Sequence, residues 1–227
     1  TQGVSSAASD VYKRQTQGGD WGASISARLG LVHPHKTVGV HLNLLPIARD
    51  PARLGSSPAA QRYREELQHW LREETGYSAI QGTRPHTLAF GLSDSPIGLA
   101  AWIAEKMRAW SDCDGDIESV FSLDEILANV SLYWFTGAIG SSFWPYYARQ
   151  HAAQWPIPEG ATVDVPMGYA EFPAEILHPP RELAERTFTD IRRWSAMPRG
   201  GHFAAMEQPE LLAEEIRAFY RPLRGTA

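Results

Sequence analysis

Five residues near the start of the chain, Gly18-Gly19-Asp20-Trp21-Gly22, have the make-up of a sharp strand-to-helix turn. Small residues around a central one, just ahead of a helix, allow a strained bend that lifts the central side chain above a sheet, and the usual occupant of that place is serine. Here it is Asp20, which changes the chemistry. A carboxylate attacks an alkyl carbon and leaves an alkyl ester that water must then hydrolyse. Water needs a base, and of the eight histidines His202, in Arg199-Gly200-Gly201-His202-Phe203, is the best placed. His33 and His35 fall in a turn and His41 in a predicted strand. His69, His86 and His151 belong to a helical stretch or its edge, and His178 adjoins two prolines. The plain structural alternatives are an aspartate that caps the following helix and a histidine with a surface or packing role.

A base of this kind needs a carboxylate to orient its ring and stabilise the imidazolium. Asp164, Glu171, Glu175 and Asp190 lie in the segment ahead of His202. Asp164 sits inside a predicted strand, whereas Glu171 and Glu175 follow it, and the residues alone leave those two level. The resulting order along the chain, nucleophile then acid then histidine, is that of α/β-hydrolases.

The elements that must hold these groups follow from periodicity. Ser24 to Leu31 reads as a short helix with Ile25, Leu29 and small alanines inward, and Thr37 to Leu45 as a buried parallel strand. Helices follow: Ala59 to Thr75, with Tyr63, Leu67, Trp70 and Leu71 on one face and Gly76 as its stop. Another opens at Asp94-Ser95-Pro96 and buries Leu99, Ile103, Met107 and Trp110. A third opens on the Ser122/Glu125 capping box and carries Ile126, Val130 and Trp134. Strands are predicted at Ala161 to Pro166 and around Ile191 to Met197, and a closing helix from Pro209 to Tyr220 turns Leu212, Ile216 and Phe219 inward. This order predicts a parallel sheet interrupted by a mostly helical insertion. The expected organisation is an irregular or foreign leader over 1–15, a core over 16–50 and 156–227, and a helical lid over 51–155.

Composition narrows the partners. With 227 residues, 43% of them hydrophobic and 21% charged, the chain suits one soluble domain with an insertion. A formal charge of −5 supplies no basic field for nucleic acid. Many of the eight Trp, eight Tyr and eight Phe fall between residues 63 and 155, which suggests an aromatic-walled cavity. Cys113 is alone, so no internal disulfide is expected and a reducing, cytoplasmic setting is the default. No apolar run approaches the roughly 18 residues of a membrane helix.

The motifs together resemble the microsomal-type epoxide hydrolases, the group that includes the juvenile hormone epoxide hydrolases. The resemblance covers about residues 17–222. It rests on QGGDWG (17–22), ETGYSAIQGTRPHTLAFGLSDSPIGLAAWI (74–103), LYWFTGAIGSSFWPYY (132–147), FPAEILHPP (172–180) and RGGHFAAMEQPELLAEEIR (199–217). It implies a partial α/β-hydrolase fold with a helical lid, and conversion of a small hydrophobic epoxide and water to a vicinal diol, as in detoxification of foreign compounds. No metal or cofactor is implied, and a homo-oligomer is compatible with it.

By the same resemblance Asp20 is the nucleophile, His202 the general base and Glu175 the relay acid, which separates Glu175 from Glu171. Tyr77 and Tyr146 would be the lid tyrosines that donate to the epoxide oxygen, with Tyr147 the neighbouring alternative to Tyr146. The backbone N–H of Trp21 would be one oxyanion-hole donor. A haloalkane dehalogenase is the competing enzyme, disfavoured because its halide needs N–H donors and not two phenols; a non-catalytic fragment is the competing non-enzyme. The sequence departs from the family ahead of the turn, where SDVYKRQT does not read as a buried strand and no HGWP-like loop precedes it. The expectation is therefore an N-terminally truncated member, poorly soluble and inactive by itself.

Overall fold

The computed structural model of the chain describes residues 13–47, 54–152 and 157–224. The leader up to residue 12 and the boundaries expected at 50/51 and 155/156 lie outside the described residues. Four strands, β1 (Arg14–Gly18), β2 (Thr37–Leu42), β3 (Met167–Glu171) and β4 (Ile191–Ala196), form one sheet in the order β1-β2-β3-β4. All three pairings are parallel, with Thr16 beside Val40, Leu42 beside Tyr169, and Tyr169 beside Trp194.

Helices cover both faces of the sheet. α1 (Asp20–Val32) links β1 to β2, and the described residues between β2 and β3 build seven α-helices: α2 (Pro58–His69), α3 (Gly76–Thr83), α4 (Pro85–Asp94), α5 (Pro96–Ala109), α6 (Leu123–Thr136), α7 (Ile139–Ser142) and α8 (Trp144–His151). Short helices α9 (Arg181–Ala184) and α10 (Ala204–Glu207) and the longer α11 (Pro209–Tyr220) complete the described chain.

Alternation along β2 sets the two faces. Val40 and Leu42 join Ala23, Ala27, Val163, Met167 and Tyr169 in a core under α1. Gly39 and His41 face the other way, toward Phe219 of α11. Phe219 packs so close that a Cβ on Gly168 would come within 2.7 Å of its ring. Strands buried on both faces are what a parallel sheet requires.

Several sequence expectations needed correction. α1 is longer than Ser24 to Leu31, and its inner face is made of Ala23, Ser24, Ser26, Ala27 and Gly30. Ile25 is 50% exposed and Leu29 39%. Small side chains let the helix lie close on the sheet, so the larger ones point away. The strand placed at Ala161 to Pro166 instead begins at Met167; before it there is only an isolated bridge between Val163 and Phe188. Pro166 has no N–H to give, and its carbonyl accepts from Val40 (2.8 Å) where the ladder starts. Gly168 and Ala170 weaken the strand signal of the true β3. Arg14 and Gln15, assigned to the leader, belong to β1, a strand whose first residues are exposed, which is why its polar sequence does not look like a buried strand. Gly76 does not stop a helix. The chain leaves α2 through a wide turn at Trp70–Glu74 and Gly76 opens α3.

The helical block has its own core of Leu92, Leu99, Val130, Ile139 and Phe143. It joins the sheet domain through Tyr63, Leu67, Trp70 and Trp110 packed with Leu177 and Leu183, and through Phe121 against Phe203. Ser95 and Ser122 cap α5 and α6 as their sequences foretell, and the Ser122/Glu125 box is reciprocal.

Candidate active site

In a parallel sheet the loops at the carboxyl ends of the strands converge at one edge, and there ligands bind. Asp20 follows β1, Glu175 follows β3 and His202 follows β4. The bend at Asp20 is tight: a Cβ on Gly18 would fall 2.1 Å from the backbone of Gly22, and one on Gly19 2.5 Å from the Asn43 side chain. Asp20 itself has φ 43°, a left-handed conformation that an L-residue adopts at a cost of about 1–3 kcal/mol. That strain turns its carboxylate out of the sheet edge, half exposed, into a cavity.

His202 stands between two carboxylates. Its Nε2 is 3.7 Å from Asp20 Oδ2, and its Nδ1 is 2.6 Å from Glu175 Oε1. Glu175 is 4% exposed, and the same Oε1 accepts the N–H of Ile176 at 2.7 Å. The other candidate acids go elsewhere. Glu171 accepts from the Trp194 indole, Asp164 from Thr189, and Asp190 from Arg192. Burial alone would lower the His202 pKa, but the neighbouring Asp20 carboxylate and the hydrogen-bonded Glu175 outweigh it and raise it to about 10.

Across the cavity two phenols face Asp20. Tyr77, in the first turn of α3, and Tyr146, in α8, have ring centroids 5.7 Å apart, and Tyr146 lies edge-on to Trp21 at 5.1 Å. Burial raises the Tyr146 pKa; the Trp21 side chain works against that rise and the charge of Asp20 adds to it. The hydroxyl therefore keeps its proton and is a donor at neutral pH. Tyr147, the alternative, is stacked on His151 at 4.1 Å and lines a separate hollow with Trp144. The backbone N–H of Trp21 lies in the first turn of α1, where N–H groups lack intrahelical acceptors.

Sequence reasoning missed the groups that hold this arrangement. The carbonyl of Trp110 accepts the backbone N–H of His202 (2.8 Å), and its ring lies edge-on to both His202 and Tyr77. Glu74 accepts from the Trp110 indole (3.0 Å) and from Lys106 (2.9 Å), and that ammonium also sits 5.4 Å from the Tyr77 ring centroid. Glu207 accepts three backbone N–H groups, from Gly201, Phe203 and Asp112, at 2.8–2.9 Å. An acid five residues beyond His202 was a visible signal for Glu207, whereas nothing local marks Trp110 or Glu74.

A parallel sheet flanked by helices, a strained aspartate after the first described strand and a histidine loop after the last define an α/β-hydrolase. No family model matches the chain. Among curated proteins it is 41% identical over 212 residues to a putative epoxide hydrolase of Stigmatella aurantiaca, a match over 92% of this chain and 47% of that protein. It is 37% identical to epoxide hydrolase 1 of Oryctolagus cuniculus (89% of this chain, 50% of that protein). With juvenile hormone epoxide hydrolase 2 of Ctenocephalides felis the identity is 36% (90% and 48%). The structure of the Bombyx mori juvenile hormone epoxide hydrolase superposes with TM-score 0.81 at 27% identity, over 99% of this chain and 58% of that one. The Aspergillus niger epoxide hydrolase gives 0.77 at 29% identity, over 93% and 52%. The chain is thus homologous, over nearly its whole length, to epoxide hydrolases of the microsomal and juvenile hormone types, and it has their α/β-hydrolase fold. It spans about half the length of the curated relatives it matches. Among the described residues no helix is long and apolar enough to cross a membrane.

Proposed function

We propose that this chain carries the reacting groups of an epoxide hydrolase, beneath a lid formed by the helical block. The observation that carries the reading is one cavity walled by a strained Asp20, by His202 and by two phenols. Asp20 attacks a ring carbon, the C–O bond breaks, and the ring oxygen takes a proton from Tyr77 or Tyr146 as it leaves. Donors aimed at a developing alkoxide stabilise the transition state more than the ground state. The product of this step is an alkyl ester on Asp20.

His202 cannot act as a base while it holds its proton, and the anions beside it favour that proton. Ester formation neutralises Asp20, one of the two carboxylates that raise the pKa of His202. The imidazole pKa then falls, the proton leaves to solvent, and His202 is ready to deprotonate water. Hydroxide adds to the ester carbonyl, with the Trp21 N–H stabilising the oxyanion. Collapse gives the Asp20 carboxylic acid and the diol alkoxide, which takes its proton from His202; the acid then returns a proton to His202, and the tyrosinate left by ring opening recovers the proton released earlier to solvent. Glu175 orients the ring throughout and stabilises the imidazolium.

A single turnover with enzyme in excess, in water enriched in heavy oxygen, tests this path. The first diol should carry ordinary oxygen and the label should appear in the Asp20 peptide. Heavy oxygen in the first diol, or an adduct on another carboxylate, overturns it.

A further inference from the structure

Asp20 stands where two cavities meet. One has a volume of about 420 Å³ and the other about 360 Å³. Asp20, Trp21, Tyr77, Trp110 and Tyr146 are walls of both. A ring opened at Asp20 therefore has space for a substituent on either side.

The two spaces differ in chemistry. The smaller is built on Trp102, Ile103, Met107, Ile139 and Phe143, and its cation, Lys106, is already paired with Glu74 at 2.9 Å. The larger has Thr75, Ser78, Gln150 and Arg149 among its walls. Arg149 rests 5.8 Å from the Trp21 ring centroid, and among the described residues no carboxylate pairs with it. A guanidinium held on an aromatic face keeps its N–H edges free, and those edges match a carboxylate in bidentate fashion.

We propose that the substrate is an internal epoxide with two arms: a hydrocarbon arm in the Trp102–Phe143 cavity and an arm ending in a carboxylate that pairs with Arg149. This rests on the epoxide hydrolase reading and narrows it to a substrate class. A monosubstituted epoxide leaves one cavity unfilled and forgoes that burial, so it should be turned over less well than a two-armed one.

The test compares, on the full chain, a fatty acid with a mid-chain cis-epoxide, homologues with shorter acid arms, their methyl esters, and styrene oxide as the one-armed probe. The wild type should favour the acid over its ester in kcat/KM by about tenfold at the best arm length, the scale of one charge-assisted hydrogen bond near a surface. Arg149→Gln should bring that ratio to one and Arg149→Lys should retain part of it. A ratio of one in the wild type at every arm length overturns the proposal, as does a preference that survives Arg149→Gln or a preference for styrene oxide. If no epoxide is turned over, the hydrolase reading fails by itself. Calorimetric titration with the corresponding unepoxidised fatty acid then decides the subsite: weaker binding to Arg149→Gln than to wild type supports it, and equal binding overturns it.

Discussion

At His202 a single imidazole is asked to be a cation before the first chemical step and a base before the second. The proposed path makes two separable predictions from this. Asp20→Asn should lower the His202 pKa from about 10 in the resting protein, because it removes one of the two anions that raise it. Imidazole proton shifts followed against pH would show this, and an unchanged midpoint would refute the account. Glu175→Gln should let the ester accumulate in a rapid-quench mass measurement, while Glu171→Gln, whose carboxylate accepts from Trp194, should change little. The phenols act on the other step. Tyr77→Phe and Tyr146→Phe should each slow ester formation, by less than the ~2.7–4 kcal/mol typical of losing one oxyanion-hole donor, since the second phenol remains. Ester hydrolysis should be nearly unaffected. If Tyr147→Phe slows ester formation and Tyr146→Phe does not, the lid assignment shifts by one residue. At this scale the sequence was informative where a motif is local, as at Gly18 to Gly22. It was silent on Trp110, whose carbonyl and ring matter only because the fold carries them to His202 from residues far off in the chain.

Among the elements, those with a signal at their own ends were legible. Ser95-Pro96 and Ser122/Glu125 announce α5 and α6 through side-chain caps that satisfy free backbone N–H groups locally. β3 and the inner face of α1 were not legible, because glycine and alanine there serve close packing against a partner whose position the local sequence does not encode. The short α10 shows what a small element can do. It delivers Glu207 back onto the N–H groups of Gly201 and Phe203, on either side of His202, and onto Asp112 from beyond α5. Glu207→Ala should cost about 1–3 kcal/mol, since part-buried donors lose their acceptor. It should also slow ester hydrolysis more than ester formation, because the base and not the nucleophile loses its support. Denaturant titration and single-turnover kinetics check the two halves. Equal slowing of both steps would show a general loss of folding instead.

Across the whole molecule, three histidines set opposing demands on pH. Hydrogen bonding to Glu66 raises His178 to about 9, despite opposing burial. His202 stands at about 10, and burial lowers His41 to about 4. A raised histidine contributes stability that is complete below its unfolded value of 6.5 and lost as pH climbs through 9 and 10. The lowered His41 does the reverse: its contribution is complete above 6.5 and lost as pH falls through about 4. Stability should therefore peak near pH 6.5. His41→Asn should flatten the acid side alone, and melting temperature measured across this range checks both. The order of strands, helical block and strands was readable at this scale because burial imposes its period on long segments. The pairing of the block with the His202 loop was not, since it joins carboxylates, rings and backbone groups that lie far apart in the chain.

The same pairing governs how the molecule can breathe. The end of α5 grips the His202 loop through the Trp110 carbonyl, the Asp112 carboxylate and the shared Glu207. Lifting the block at that end would carry the base out of register. An opening that leaves the base in place must therefore spare this end of the block. The backbone amides of Asp112, Gly200 and His202 should exchange hydrogen at one common slow rate, as a single latch, while those of α8 exchange faster and independently. What fastens the base in place thus also limits how its roof can move.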